Sequence, residues 1–136
     1  NVPMITQLSN QFLLQDRTLR FAQIDWWRYA AAKSGDIFEG KGYMAQGHAS
    51  ECGTSVMLYL FPESVRMDKI CCALPQVVNG KRFPAVNRPT LFDEFSPVGM
   101  IGDATKASAE KGRQLVTRCV DDIVAYMQAD FDEITC

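Results

Sequence analysis

The sequence predicts an α/β chain built on a mostly parallel sheet, and three observations lead there. A helical pattern opens the chain, a strand-like apolar run follows, and a second helical pattern comes at once after it. That α–β–α order favours parallel strands with helices packed on the sheet. The 136 residues, 47% of them hydrophobic, suffice for one domain with a real core. Near the end runs a long apolar stripe at helical spacing, the pattern of a helix laid against that core.

Taken in order, Asn1 suits a helix cap and Pro3 the first turn, where a missing N–H costs nothing; Val2, Ile5, Leu8 and Phe12 then share one face. This helix should end between residues 15 and 17. Residues 19–24 run apolar in the manner of a buried strand, and Asp25-Trp26-Trp27-Arg28-Tyr29 starts the next helix. Residues 34–47 hold Gly35, Gly40, Gly42 and Gly47, which predicts a long loop rather than packed structure. A helix follows from about residue 53 or 54 to Phe61, where Pro62 stops it.

Between Cys71 and Ser96, Pro75, Pro84 and Pro89 with the Asn79-Gly80 turn signal predict an extended arm or hairpin. Gly102-Asp103-Ala104-Thr105 then leads into the last helix, whose stripe is Leu115, Val116, Cys119, Val120, Ile123, Val124 and Met127. The chain begins on Asn rather than Met, on a residue that immediately opens a helical pattern, so it reads as part of something longer.

A net charge of −2 without any long Lys/Arg run excludes the concentrated basic face that nucleic acid or a membrane surface demands. No apolar run approaches the roughly 18 residues of a membrane span, and the N-terminus lacks the layout of a signal peptide, so a cytoplasmic chain is expected. Five scattered cysteines without a C-x-x-C pair read as reduced thiols, mostly buried.

Chemistry centres on His48, the one histidine, which stands at the end of the Gly-rich loop just before a helix. There an imidazole sits beside a polarised helix N-terminus and suits proton transfer. Glu51, three residues on, is a base, a metal ligand, an orienter of His48, or a first-turn glutamate placed by the helix dipole. Cys52 is a nucleophile beside His48 or, as no oxyanion-hole pattern accompanies it, a buried structural thiol. Trp26 and Trp27 follow the strand at its C-terminal end, where parallel sheets bind ligands; one should line a pocket for a flat ligand and the other pack in the core. Asp25 is a helix cap or a pocket residue.

The run Gly47-His48-Ala49-Ser50-Glu51-Cys52-Gly53-Thr54-Ser55-Val56-Met57-Leu58, continued by Phe61-Pro62-Glu63-Ser64-Val65-Arg66-Met67-Asp68, resembles the H-A/G-G-x-x-E-T-S-L-M-L and H-P-E-L-V-x-M segment of creatininase-type amidohydrolases. The stretch from Gly102 to Gly112 resembles the family's G-D-P-x-x-A-T-A-E-K-G lead into its last helix. The resemblance implies a three-layer α/β/α sandwich, usually assembled as a hexamer. Asn1 falls on the final Asn of the family's N-G-H-x-x-N motif, so residues 1–136 would be the C-terminal half of a single creatininase-like domain, completed by an N-terminal half or partner chain.

The family's metal ligands lie upstream of that point. The resemblance therefore implies a divalent-metal centre, zinc or manganese with iron as a further option, held mostly by the missing half. It further implies a metal-activated water that cleaves the C–N bond of a small, cyclic amide. His48 matches the family's proton-shuttling histidine and Trp27 a tryptophan of the substrate pocket; Trp26 and Gly47 join it as expected substrate contacts, and Glu51 as a metal ligand. Three positions depart from the pattern: Gly53 stands for the motif Glu, Ser50 for a Gly, and Gly47 for the Glu that precedes the histidine in creatininase. The alternative is a non-catalytic assembly or regulatory subunit that keeps the fold.

Overall fold

A computed structural model describes residues 2–76 and 91–131, and the expected Asn79-Gly80 hairpin, with Pro84 and Pro89, lies outside them. Helix α1 (Val2–Gln15) is followed by α2 (Trp26–Lys33), the short α3 (Tyr43–Gln46) and α4 (Glu51–Leu60). Two 3₁₀ turns, Pro62–Ser64 and Met67–Lys69, lead to β1 (Cys72–Ala73). Beyond lie α5 (Phe92–Phe95), β2 (Gly102–Asp103), a third 3₁₀ turn (Ala104–Lys106) and α6 (Ala109–Phe131). Among the described residues no helix is long and apolar enough to cross a membrane.

The centre of the fold is the packing of α4 on α6. Its core is Ala30, Ile37, Phe38, Ala45, Cys52, Leu115 and Cys119, with Trp27, Tyr29 and Val56 against it. The two helices touch backbone to backbone, since a Cβ at Gly112 would overlap the Ser55 carbonyl. Beside this contact the Ser108 amide donates to Ser55 Oγ at 3.1 Å, and Ser108 Oγ accepts from the Lys111 amide at 3.2 Å, which caps the start of α6. The expected stripe on α6 is buried at Leu115 and Cys119, but Val120, Val124 and Met127 are about half exposed. The helix outruns the partners that the described chain offers it.

The same shortage explains residues 19–24, which form no strand. A strand needs a neighbour for its amides and carbonyls, and among the described residues none lies alongside; Leu19, Phe21 and Ile24 stay exposed. The sheet among the described residues is the antiparallel pair β1–β2, with Cys72 opposite Asp103 and Ala73 opposite Gly102. Helix α1 forms where the sequence places it but buries none of its residues. Val2, Ile5, Leu8 and Phe12 form an open apolar face, extended by the stacking of Phe12 on Phe21.

Residues 34–47 correct another expectation. Ile37, Phe38 and Ala45 enter the core and α3 forms within the segment, so it is packed structure with glycines at its tight points. A Cβ at Gly47 would strike the Ile101 carbonyl, and Gly102, at φ +119°, lies against the Tyr43 carbonyl and Ser50. These two glycines let the loop of His48 and the β2 segment meet.

Glycines at two helix positions should respond to alanine in opposite directions. Ala is the better helix former by about 1 kcal/mol. At Gly53, where the new Cβ meets nothing nearer than Trp27 at 3.9 Å, the substitution should stabilise by about 0.5–1 kcal/mol. At Gly112 the overlap with backbone outweighs propensity, and Gly112→Ala should destabilise by about 1–3 kcal/mol. Urea midpoints at unchanged slope read both; stabilisation by Gly112→Ala would show that α4 and α6 do not approach as described.

Candidate functional site

His48 is held by its backbone and by one ring nitrogen. Its carbonyl accepts from the Ile101 amide at 2.8 Å, and its Nδ1 lies 2.7 Å from the Gly99 carbonyl. A carbonyl only accepts, so Nδ1 carries the proton, and Nε2 of the neutral ring keeps its lone pair. The edge of Phe92 stacks on the imidazole at 4.8 Å between centroids. Ala49, at φ +54°, then turns the chain into α4, while Ser50 Oγ lies 2.6 Å from the Ala45 carbonyl and 2.8 Å from that of Gly47.

A cavity of about 430 Å³ opens beside this histidine. Gly53 and Thr54 of α4 contribute to it, as do Ser64, Arg66 and Lys69 from the two 3₁₀ turns, and Val98 with Met100 supplies apolar wall. Among the described residues no aspartate or glutamate lines it. Arg66 and Lys69 were not singled out in the sequence. The one available signal was that Arg66 lies within the family-like continuation from Phe61 to Asp68 and Lys69 directly after it.

Glu51 is placed elsewhere. It is fully buried, its Oε1 accepts from Lys111 Nζ at 2.6 Å and from the Glu39 amide at 3.2 Å, and its Oε2 accepts from the Gly40 amide at 3.0 Å. Lys111 also bonds Glu39 Oε1 at 2.8 Å. Burial lowers the Lys111 pKa, but the two carboxylates outweigh it and the net shift is upward. Glu51 thus ties the packed loop to α6 and does not line the cavity of His48. Among the described residues, no three His, Cys, Asp or Glu side chains gather where an ion would sit.

The tryptophans divide their roles. Trp27 packs against the core and approaches Gly53, while Trp26 is half exposed and meets Trp27 edge to face at 5.3 Å. Neither lines the cavity beside His48, and neither does Gly47. Asp25 caps α2, accepting from the Arg28 amide. Cys52 is buried and its thiol is pushed up to about 12, chiefly by burial, so it is no nucleophile at neutral pH. Cys71 and Cys72 are less buried than the cysteine pattern suggested, and all four described cysteines are free.

Removing the Glu51 carboxylate should be felt as lost stability. Glu51→Ala leaves Lys111 and two amides without their buried acceptor, so destabilisation by about 3–5 kcal/mol is expected in denaturant unfolding, with a smaller loss for Glu51→Gln. Should stability hold while metal content of the full protein falls, Glu51 is a ligand after all.

The profile of the creatininase family, described as creatinine amidohydrolase, matches residues 1–127. A mutant creatininase complexed with creatine superposes on 96% of the chain, with a TM-score of 0.69 at 21% identity and 53% of its own length covered. A structure described as creatininase Mn superposes on 93%, with a TM-score of 0.65 at 20% identity and 49% of its length covered. The mycofactocin precursor peptide peptidase of Mycobacterium ulcerans (strain Agy99) is 33% identical over 78 residues, 57% of this chain and 30% of that protein. The chain spans about half the length of these solved relatives, and its match to the curated one covers less than a third of that protein. With the profile running from α1 well into α6, and the fold shared with solved creatininases, the chain belongs to the creatininase family.

Proposed function

We propose that residues 1–136 are the C-terminal half of a metal-dependent amidohydrolase that cleaves the C–N bond of a small, cyclic amide, with His48 as general acid and base. The observation that carries this reading is the fixed tautomer of His48. With Nδ1 committed to the Gly99 carbonyl, Nε2 takes the proton from an attacking water as the new C–O bond forms. The same nitrogen then delivers that proton to the leaving amine as the C–N bond breaks. The Gly99 carbonyl steadies the imidazolium between the two transfers.

Solved relatives include a mutant creatininase of Zn-Zn type and one described as creatininase Mn. The described residues of this chain do not by themselves fit such a centre. We place the ligands, and the strands that would pair with residues 19–24 to complete a parallel sheet and a sandwich, on an N-terminal half or complementary subunit. The open apolar face of α1 and the unpaired 19–24 segment support that partner, with a hexameric assembly as the expected product.

A second reading, a non-catalytic subunit, draws on Gly53. Gly53, which lines the cavity, stands where the family pattern has Glu, and a Cβ there meets nothing nearer than Trp27 at 3.9 Å, so a side chain could start at this position without a clash and the carboxylate is nonetheless absent. His48→Gln in the full protein decides between the two. A fall in kcat of about 10²–10⁴-fold with metal content unchanged is expected of an acid/base. Loss of metal would make His48 a ligand, and activity within about threefold of the parent would favour the non-catalytic subunit.

Light scattering tests the partner. Residues 1–136 alone should self-associate through their uncovered apolar surface, and should give a defined assembly when an N-terminal half is supplied. A stable, monodisperse monomer would overturn the proposal.

A further inference from the structure

We infer that the cavity beside His48 binds an anionic group, carboxylate or phosphate, carried on a small ligand with an apolar body. As a statement about substrate this rests on the hydrolase reading above; as a statement about binding it stands on the cavity itself. Arg66 and Lys69 both line it, and among the described residues no carboxylate does. Among the described residues Arg66 has no carboxylate partner. The one carboxylate paired with Lys69 among the described residues is that of Asp68 at 3.6 Å, with both side chains about two-thirds exposed. Such a surface pair contributes little and leaves the ammonium free to engage a ligand.

Arg17, Arg20 and Lys41 also lack a carboxylate partner among the described residues, so what sets Arg66 and Lys69 apart is that they share one cavity wall; the remaining described cations are held in pairs. Lys33 pairs with Asp122, Lys111 with Glu39 and Glu51, Arg113 with Glu110, and Arg118 with Asp36. In a chain of net charge −2, two cations on one cavity wall, Arg66 without a carboxylate partner among the described residues and Lys69 in only an exposed pair with Asp68, suit an anion. Their geometry suits it: Arg66 precedes the 3₁₀ turn that ends in Lys69, and the Lys69 amide bonds the Arg66 carbonyl at 3.0 Å, which holds both stems on one short turn. A planar guanidinium takes two anion oxygens at once and an ammonium adds a point charge. Met57, Val98 and Met100 line the same cavity and receive an apolar body. A ligand anchored there by its anion presents its remainder toward His48.

Calorimetric titration of the full protein with inorganic phosphate and, separately, with N-acetylleucine tests the inference without requiring turnover. Saturable binding is expected for at least one of them. It should weaken about tenfold or more in Arg66→Gln and in Lys69→Gln, and persist in Arg113→Gln, whose side chain lies outside the cavity. Both cavity residues are exposed, so their variants should fold, and circular dichroism checks this. Preference for N-acetylleucine identifies a carboxylate ligand, and preference for phosphate a phosphorylated one. Binding without hydrolysis of any amide would retain the anion site while the hydrolase reading falls. The inference is overturned if neither anion saturates, or if binding is unchanged in both variants.

Discussion

The Glu51 carboxylate is the interaction on which the geometry around His48 depends. A fully buried carboxylate loses several kcal/mol of hydration, and only a full set of donors offsets that. Here the donors come from the packed loop, through the Glu39 and Gly40 amides, and from α6, through Lys111. One side chain on the first turn of α4 therefore joins three parts of the chain. The loop so anchored runs on through α3 to Gly47, whose missing side chain lets it press against Ile101. His48 follows at once, already positioned before any ligand arrives.

Local signals in the sequence were translated faithfully. Pro3 and the apolar spacing of the first residues gave α1, Asp25 capped α2, Pro62 followed the last residue of α4 by two, and the Gly102-Asp103-Ala104-Thr105 lead ran into α6. What failed was pairing across the chain. The strand expected at residues 19–24 depends on neighbours that a local pattern cannot supply, and the stripe on α6 continues past the point where the described chain has anything to pack on it. The glycines of residues 34–47 suggested a loose loop because glycine marks both freedom and close approach; Ile37 and Phe38 show that the second meaning applied.

The site was legible in the same uneven way. His48 was found because its position relative to loop and helix is a local property. Glu51 sits near His48 in sequence, yet its carboxylate is bound by groups 11, 12 and 60 residues away. Spacing alone could not separate a ligand from an anchor. Arg66 and Lys69 were invisible for the opposite reason: isolated cations on a turn are ordinary, and only the cavity shows that they share a wall.

One feature of the backbone bears on how freely this site can be varied. Ala49 lies in the left-handed region at φ +54°, which costs a residue with a Cβ about 1 kcal/mol and a β-branched one more. The residue after the histidine is thus restricted to small or locally hydrogen-bonding types, whatever the substrate. A randomised library aimed at new specificity would spend most of its diversity at position 49 on chains that misplace His48. The same effort spent on positions 66 and 69, on an exposed turn, would leave the fold intact while changing what the cavity attracts.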